Sequence, residues 1–147
     1  MKAQLTKMQE VQHYWHLQDQ DRSLDFKYNV RTQSLRFYHS LHRILMLEEA
    51  GILRGRILIN NEYSQAVGKI VFNPGGNDAG MILLDNKKYF FDRRRQTIYF
   101  RSLENKNREF ELVLASDENT KICELAALMI AAILFRIHVA RPELIAA

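Results

Sequence analysis

The spacing of hydrophobic residues divides the chain into three parts. From Ala3 to Leu17, apolar residues recur at helical intervals. From Leu24 to Leu114, short runs alternate between apolar and polar residues and are separated by polar turns. From Leu125 to Phe135, every residue is apolar. These patterns predict, in order, an amphipathic helix, a series of half-buried strands and a helix that is buried on all sides.

The apolar run is bounded by Glu124 and Arg136 and contains neither Gly nor Pro. Because Ala, Leu and Met favour helices, we predict a helix from about Lys121 to Val139. A helix that is apolar on every face must lie inside protein or inside lipid. A membrane span needs roughly 20 apolar residues, and extending this run would include the charged Arg136. We therefore expect a buried core helix and no transmembrane span, with a C-terminal membrane anchor as the alternative.

The alternation of apolar and polar residues in the middle of the chain predicts antiparallel strands. Leu24 to Val30 alternates in polarity, and after a polar turn Leu35 and Phe37 resume the alternation, which indicates a hairpin. The segment from His39 to Ala50 fits either a strand or a helix. Further strands are predicted at Ile57–Ile59, Val67–Phe72, Met81–Leu84, Lys88–Phe91, Ile98–Leu103 and Phe110–Leu114.

The spacing of apolar residues in the first 23 residues predicts a separate segment. Leu5, Met8, Val11 and Trp15 have the spacing of one helix face, and residues 18–23 are polar. This pattern indicates a helical N-terminal arm followed by a linker. The expected organisation is therefore an arm over residues 1–23 and a β-rich domain over residues 24–147.

The predicted fold class is α+β and mainly β. Short strands joined by tight turns bury one face best when the sheet curls or closes, which also protects its edges. The apolar C-terminal helix would fill such a sheet. We therefore expect an antiparallel curled sheet or a closed barrel around this helix.

Two stretches resemble the tubby C-terminal-like superfamily, which includes the LURP-one-related proteins and the phospholipid scramblases. One is the ending formed by Phe110–Leu114, Asp117–Lys121 and Glu124–Ile137, which is similar to the strand, loop and apolar helix that close this fold. The other is the hairpin from Arg56 to Ile70, which resembles the family's strand, polar turn and valine-glycine strand. The resemblance implies a barrel around a hydrophobic C-terminal helix and a role in binding anionic lipid. No phosphoinositide-contacting residue of the family can be assigned to a position here.

The composition is that of an ordinary globular domain, with 47% hydrophobic and 26% charged residues. A net charge of +4 is compatible with weak affinity for nucleic acid or anionic lipid and requires neither. The single cysteine, Cys123, excludes an internal disulfide and suits a reducing compartment. No signal peptide is visible, so we expect a cytoplasmic protein that is peripheral at a membrane if it binds lipid.

The strongest candidate for ligand binding is a basic cluster. It flanks the strand from Tyr89 to Asp92 and consists of Lys87, Lys88, Arg93, Arg94 and Arg95. Arginine can bind phosphate through two hydrogen bonds, so this cluster is the predicted anion-binding site. The alternative is a solvated hairpin end whose charges protect an exposed sheet edge.

Other chemistry has weaker support. The pairs His13/His16 and His39/His42 have helical spacing without the further ligands of a structural zinc site, and Cys123 is expected to be buried and inert. Phe90 and Phe100 are predicted as core residues rather than base-stacking residues. We expect no cofactor, no metal and no nucleic-acid partner, and no catalytic set converges by spacing.

The leading hypothesis is a non-enzymatic binding module for anionic phospholipid or phosphoinositide headgroups. The alternative is a protein–protein adaptor that uses the N-terminal helical arm around Trp15 to bind a partner or a second copy of the chain.

Overall fold

The computed structural model describes residues 2–9, 13–20, 22–38, 42–50, 55–74, 76, 78–103, 109–114 and 122–138. Within these ranges there are eleven strands and one helix. The elements are β1 (Lys2–Gln9), β2 (Tyr14–Asp19), β3 (Arg22–Asn29), β4 (Ser34–Phe37), β5 (Ile44–Ala50), β6 (Arg56–Asn61), β7 (Ala66–Phe72), β8 (Ala79–Leu84), β9 (Lys87–Arg94), β10 (Thr97–Ser102), β11 (Phe110–Val113) and α1 (Ile122–His138).

The strands pair in the order of the sequence. Strands β2 to β11 form a ten-stranded antiparallel sheet whose two edge strands, β2 and β11, do not pair with each other. Strand β1 lies between these edges, antiparallel to β2 and parallel to β11, and its pairings complete a closed barrel. One parallel pair is required, because an odd number of strands cannot alternate in direction all the way round a ring.

Alternate residues of each strand point into the barrel, as the period-two pattern predicts. In β3, Leu24, Phe26 and Tyr28 are buried, and Asp25 and Lys27 between them are half-buried. The hairpin predicted from residues 24–37 is confirmed by the antiparallel pairing of β3 with β4. The ambiguous segment from residue 39 to 50 forms a strand over β5, and residues 39–41 lie outside the described residues.

Helix α1 occupies the interior of the barrel. Every residue from Leu125 to Phe135 is buried, with at most 2% of its surface exposed. The helix runs antiparallel to β3: Cys123 in its first turn lies beside Gln33, which follows β3, and the Phe135 ring lies 5.0 Å from the guanidinium of Arg22, which begins β3. The predicted buried helix is therefore confirmed.

The composition of α1 suits a position inside a barrel. A barrel of about eleven strands has room for one central helix. Ala126, Ala127, Ala131 and Ala132 are completely buried, and their small side chains let the barrel wall approach the helix closely. Each of the larger apolar side chains, such as Leu128, contributes about 1.5–3 kcal/mol by leaving water. Among the described residues, no helix combines the length and the apolar character needed to cross a bilayer.

The prediction of an N-terminal helical arm is wrong. Residues 2–9 and 14–19 are strands β1 and β2 of the barrel, and the boundary expected after residue 23 falls inside β3. Trp15 and Leu17 point into the core, opposite Phe26 and Leu24 on β3. The few apolar residues of this segment fit a period of two as well as a helical period, and pairing with distant strands decides between them. Because Trp15 is buried, it is not exposed to a partner protein, whereas an adaptor role for the chain as a whole stays a prediction.

Two glycines mark a place where β7 and β8 approach too closely for a side chain. A Cβ atom on Gly68 would lie 2.1 Å from the carbonyl oxygen of Leu83, and one on Gly80 would lie 2.2 Å from the carbonyl oxygen of Val71. Both obstacles are backbone atoms, which cannot rotate away. Glycine inside a strand is typical of such close backbone approaches.

We expect Gly68→Ala to lower the free energy of unfolding by about 2–3 kcal/mol, because the added methyl group forces β7 and β8 apart. Gly55→Ala is the matched control, since no described residue lies within 4 Å of its added methyl group. Urea unfolding of both variants measures the difference. Equal stability of the two variants would contradict the close packing of β7 against β8.

Candidate functional site

The five basic residues predicted to bind an anion lie at opposite ends of β9. Lys87 and Lys88 begin the strand, whereas Arg93 and Arg94 end it and Arg95 lies in the following turn. The seven residue steps from Lys87 to Arg94 span about 23 Å in an extended strand. The five residues therefore form two groups that cannot contact one headgroup together, and anion binding by either group stays a prediction.

The arginine group forms the tip of the hairpin between β9 and β10. Arg94 pairs with Thr97, which leaves Arg95 and Gln96 as a two-residue loop. Arg95 has a φ of 57°, in the left-handed region that tight hairpin loops require. Arg94 and Arg95 are both exposed at this tip.

The side chains at the tip are held by local contacts. The Arg94 guanidinium lies 3.1 Å from the Asp92 carboxylate and 5.2 Å from the centre of the Tyr99 ring. The Nε of Arg93 donates a hydrogen bond to the Arg95 carbonyl oxygen at 3.3 Å. Three arginines are therefore close together, and Asp92 neutralises part of the charge of Arg94.

The antiparallel strand order places two more arginines at this end of the barrel. Arg31 lies in the turn between β3 and β4, and Arg56 begins β6. Both are exposed, and together with Arg94 and Arg95 they form a set that we call the arginine rim. The exposed Asp78, just before β8, lies at the same end. The arginine rim surrounds the mouth of the barrel at which α1 begins.

A groove of about 840 Å³ crosses the outer face of β9, β10 and β11. Its floor is the backbone of Phe91, Phe100 and Phe110, which lie side by side on the three strands and turn their rings into the barrel. Its walls are two rows of outward side chains: Asp92, Tyr99 and Glu111 on one side, and Phe90, Arg101 and Glu109 on the other. We call this feature the cross-strand groove.

Polar side chains surround the first turn of α1. The Cys123 thiol donates to the Glu49 carboxylate at 3.6 Å and accepts from the Gln33 amide at 3.7 Å. His13 Nδ1 lies 3.0 Å from the carboxylate of Glu124. Burial, together with the negative charge of Glu49, raises the pKa of the Cys123 thiol to about 11. Because the thiolate is the reactive form, we expect Cys123 to react slowly at neutral pH.

The histidines are separated in the fold. His13 contacts the first turn of α1, whereas His16 lies on the outer face of β2 between Asp25 and Gln18. His42 is exposed, and His39 lies outside the described residues. In the part of the chain that the structure describes, no group of three or more His, Cys, Asp or Glu side chains is placed to hold a metal ion.

His16 is the centre of a small hydrogen-bonded group. Its Nδ1 lies 2.6 Å from the Asp25 carboxylate, and its Nε2 lies 3.0 Å from the side-chain oxygen of Gln18. The hydrogen bond to Asp25 is the main cause of a raised pKa for His16; the bond to Gln18 adds to it, and partial burial opposes it. Two oxygen acceptors suit the protonated imidazole, which donates from both nitrogens.

Sequence reasoning identified the arginine tip and missed the cross-strand groove. Phe100 is buried as predicted, but the prediction that Phe90 is a core residue is wrong. Phe90 faces outward on β9 because its neighbours Tyr89 and Phe91 occupy the inward positions. The period-two pattern of the strand contains this information, but the pairing of three strands is needed to assemble the groove.

No known family model, curated protein or solved structure matches the chain. The resemblance to the tubby C-terminal-like superfamily therefore stays a prediction from the sequence pattern.

We predict that Cys123 in the native protein reacts with a thiol-specific reagent far more slowly than in the urea-unfolded protein, because the thiol is buried and protonated. Ellman's reagent, followed by absorbance at neutral pH, measures both rates. Rapid native labelling of Cys123, at a rate close to that of the unfolded chain, would show that the mouth of the barrel is open around α1.

We also predict that His16 contributes to stability in a pH-dependent way. Its pKa is raised in the folded chain, so its contribution is complete below the unfolded value of about 6.5 and is lost as the pH rises through the folded value. The difference in free energy of unfolding between the wild-type protein and His16→Gln should therefore shrink as the pH is raised above about 6.5. His42→Gln, at an exposed position, should keep the pH dependence of the wild-type protein. A difference for His16→Gln that stays constant over this range would contradict the assignment.

Proposed function

We propose that this protein is a non-enzymatic binding module that docks on an anionic phospholipid surface through the arginine rim. The observation that carries this proposal is the presence of four exposed arginines, from three separate parts of the sequence, at one end of the barrel. Such a protein would act in the cytoplasm, at the periphery of a membrane. The resemblance to the tubby C-terminal-like superfamily supports the same class of ligand.

The charge of the rim is largely available to a ligand. Arg31, Arg56 and Arg95 have no ion-pair partner among the residues that the structure describes. Arginine binds phosphate through two parallel hydrogen bonds and is more weakly hydrated than lysine, which favours contact with phosphorylated headgroups. Asp78 and the pairing of Arg94 with Asp92 reduce the positive charge without cancelling it.

The arrangement favours a surface over a single enclosed ligand. The four arginines lie in the turn between β3 and β4, at the start of β6 and at the β9–β10 tip, so they are spread around the mouth of the barrel. Side chains arranged in this way can contact several headgroups of a flat membrane at once. Each basic residue near an anionic membrane contributes about 1 kcal/mol to binding, so several are needed for measurable affinity.

The proposal is tested with the double variant Arg31→Gln/Arg95→Gln. Loss of two basic residues should lower binding to vesicles of phosphatidylcholine and phosphatidylserine by about thirtyfold. Co-sedimentation measures the bound fraction, in parallel with vesicles of phosphatidylcholine alone and vesicles that also contain a phosphoinositide. Binding of the wild-type protein to the anionic vesicles should weaken as salt is raised.

The matched control is Lys87→Gln/Lys88→Gln, which removes the same charge from the opposite end of β9. This variant should bind anionic vesicles as the wild-type protein does. Equal weakening in the two double variants would show that net charge alone drives binding. Equal, negligible binding of the wild-type protein to anionic and neutral vesicles would remove the proposal.

A further inference from the structure

Three charged side chains of the cross-strand groove have no charged partner among the residues that the structure describes. Glu109 and Glu111 lie at its β11 end, and Arg101 lies on β10. In the described part of the chain none of the three forms an ion pair, whereas Asp92 and Arg94 in the same groove are paired at 3.1 Å. As far as the described residues go, the groove therefore presents two unpaired carboxylates and one unpaired guanidinium to a ligand.

Arg101 is held in place for binding. Its guanidinium carbon lies over the Phe90 ring, 5.4 Å from the ring centre, in a cation–π contact. The N–H donors of a guanidinium lie along its edge, and no described residue accepts a hydrogen bond from those of Arg101. The edge of Arg101 can therefore donate two parallel hydrogen bonds to a ligand carboxylate.

The strand register sets the spacing of these groups. Phe100 pairs with Phe110, the last pair of β10 and β11, so continuing this register places Arg101 opposite Glu109, the residue just before β11, with the two backbones about 5 Å apart. Glu111 lies two residues further along β11, about 7 Å from Glu109. Tyr99, which is 39% exposed, is the cross-strand neighbour of Glu111; its ring borders the groove and has the Arg94 guanidinium 5.2 Å from its centre.

We propose that the cross-strand groove binds a free basic α-amino acid of the lysine or arginine class. The α-carboxylate pairs with Arg101, the α-ammonium group pairs with Glu109, and the side-chain cation pairs with Glu111. The carbon chain of the ligand crosses the groove beside the Tyr99 ring. The two cationic groups and one anionic group of such a ligand complement the two carboxylates and one guanidinium, and the volume of about 840 Å³ lies in the range of small-molecule sites.

The same three groups discriminate against other amino acids. An acidic side chain would place a second carboxylate against Glu111, which is repulsive. A neutral side chain of the same length would leave Glu111 without a partner. A simple polyamine has no anionic group for Arg101. The groove is therefore expected to need both the α-carboxylate and the side-chain cation.

Isothermal titration calorimetry of the full chain with L-lysine, L-arginine and L-norleucine tests the proposal. Norleucine keeps the α-groups and the carbon chain and lacks the side-chain cation. L-lysine or L-arginine should bind saturably, and norleucine should bind about tenfold or more weakly, because a charge-assisted hydrogen bond is lost.

The variant Glu111→Gln should weaken binding of the basic amino acid by about tenfold while leaving binding of norleucine unchanged. Glu48→Gln is the matched control: it removes the same charge from an exposed position on β5 and should bind both ligands as the wild-type protein does. Absence of saturable binding by both basic amino acids would overturn the proposal. Equal affinity for lysine, arginine and norleucine, or equal weakening in Glu48→Gln, would overturn it as well. None of these variants changes a residue of the arginine rim, so the vesicle experiment and the titration fail or succeed separately.

Discussion

The burial of α1 is the constraint on which the rest of the structure depends. From Leu125 to Phe135 the helix has no polar side chain on any face, so water must be excluded all the way round it. A sheet open along one edge would expose one face of the helix to water and would also leave the backbone N–H and C=O groups of two edge strands unpaired. Pairing of β1 with both β2 and β11 removes both problems at once. Closure of the barrel and burial of the helix are therefore two aspects of the same free-energy gain.

Polar contacts fix the two ends of the buried helix. At its first turn, Glu124 pairs with His13, and the Cys123 thiol donates a hydrogen bond to the Glu49 carboxylate. The negative charge of Glu124 at this position also interacts favourably with the helix dipole. At the other end Arg22 is buried, forms an ion pair with Asp19 and stacks on Phe135. Because α1 fills the interior, a ligand is expected to bind on the outside of the barrel. The arginine rim and the cross-strand groove are both features of that outer surface.

Local patterns were enough to predict the helix and most strands. Residues 122–138 form the expected helix because a long apolar run without Gly or Pro has few alternatives. The N-terminal strands could not be predicted in this way. Their few apolar residues, such as Leu5 and Trp15, fit two periods, and the choice depends on pairing with strands that lie far away in the sequence.

The candidate sites show the same division between local and distant information. Three consecutive arginines are visible in the sequence, but an extended β9 separates them from Lys87 and Lys88, so one apparent cluster becomes two. The groove combines side chains of β9, β10 and β11, which only the strand register brings together. Periodicity gives the direction in which a strand residue points, but it does not give the neighbours on the adjacent strand.

Native-state hydrogen exchange of the α1 amides tests the central claim most directly. If the barrel is closed around the helix, the amides from Leu125 to Phe135 should exchange only through global unfolding, with an opening free energy equal to that measured by urea unfolding. Exchange of these amides through small local openings, much faster than exchange in the barrel strands, would contradict the burial of α1 and the closure of the sheet around it.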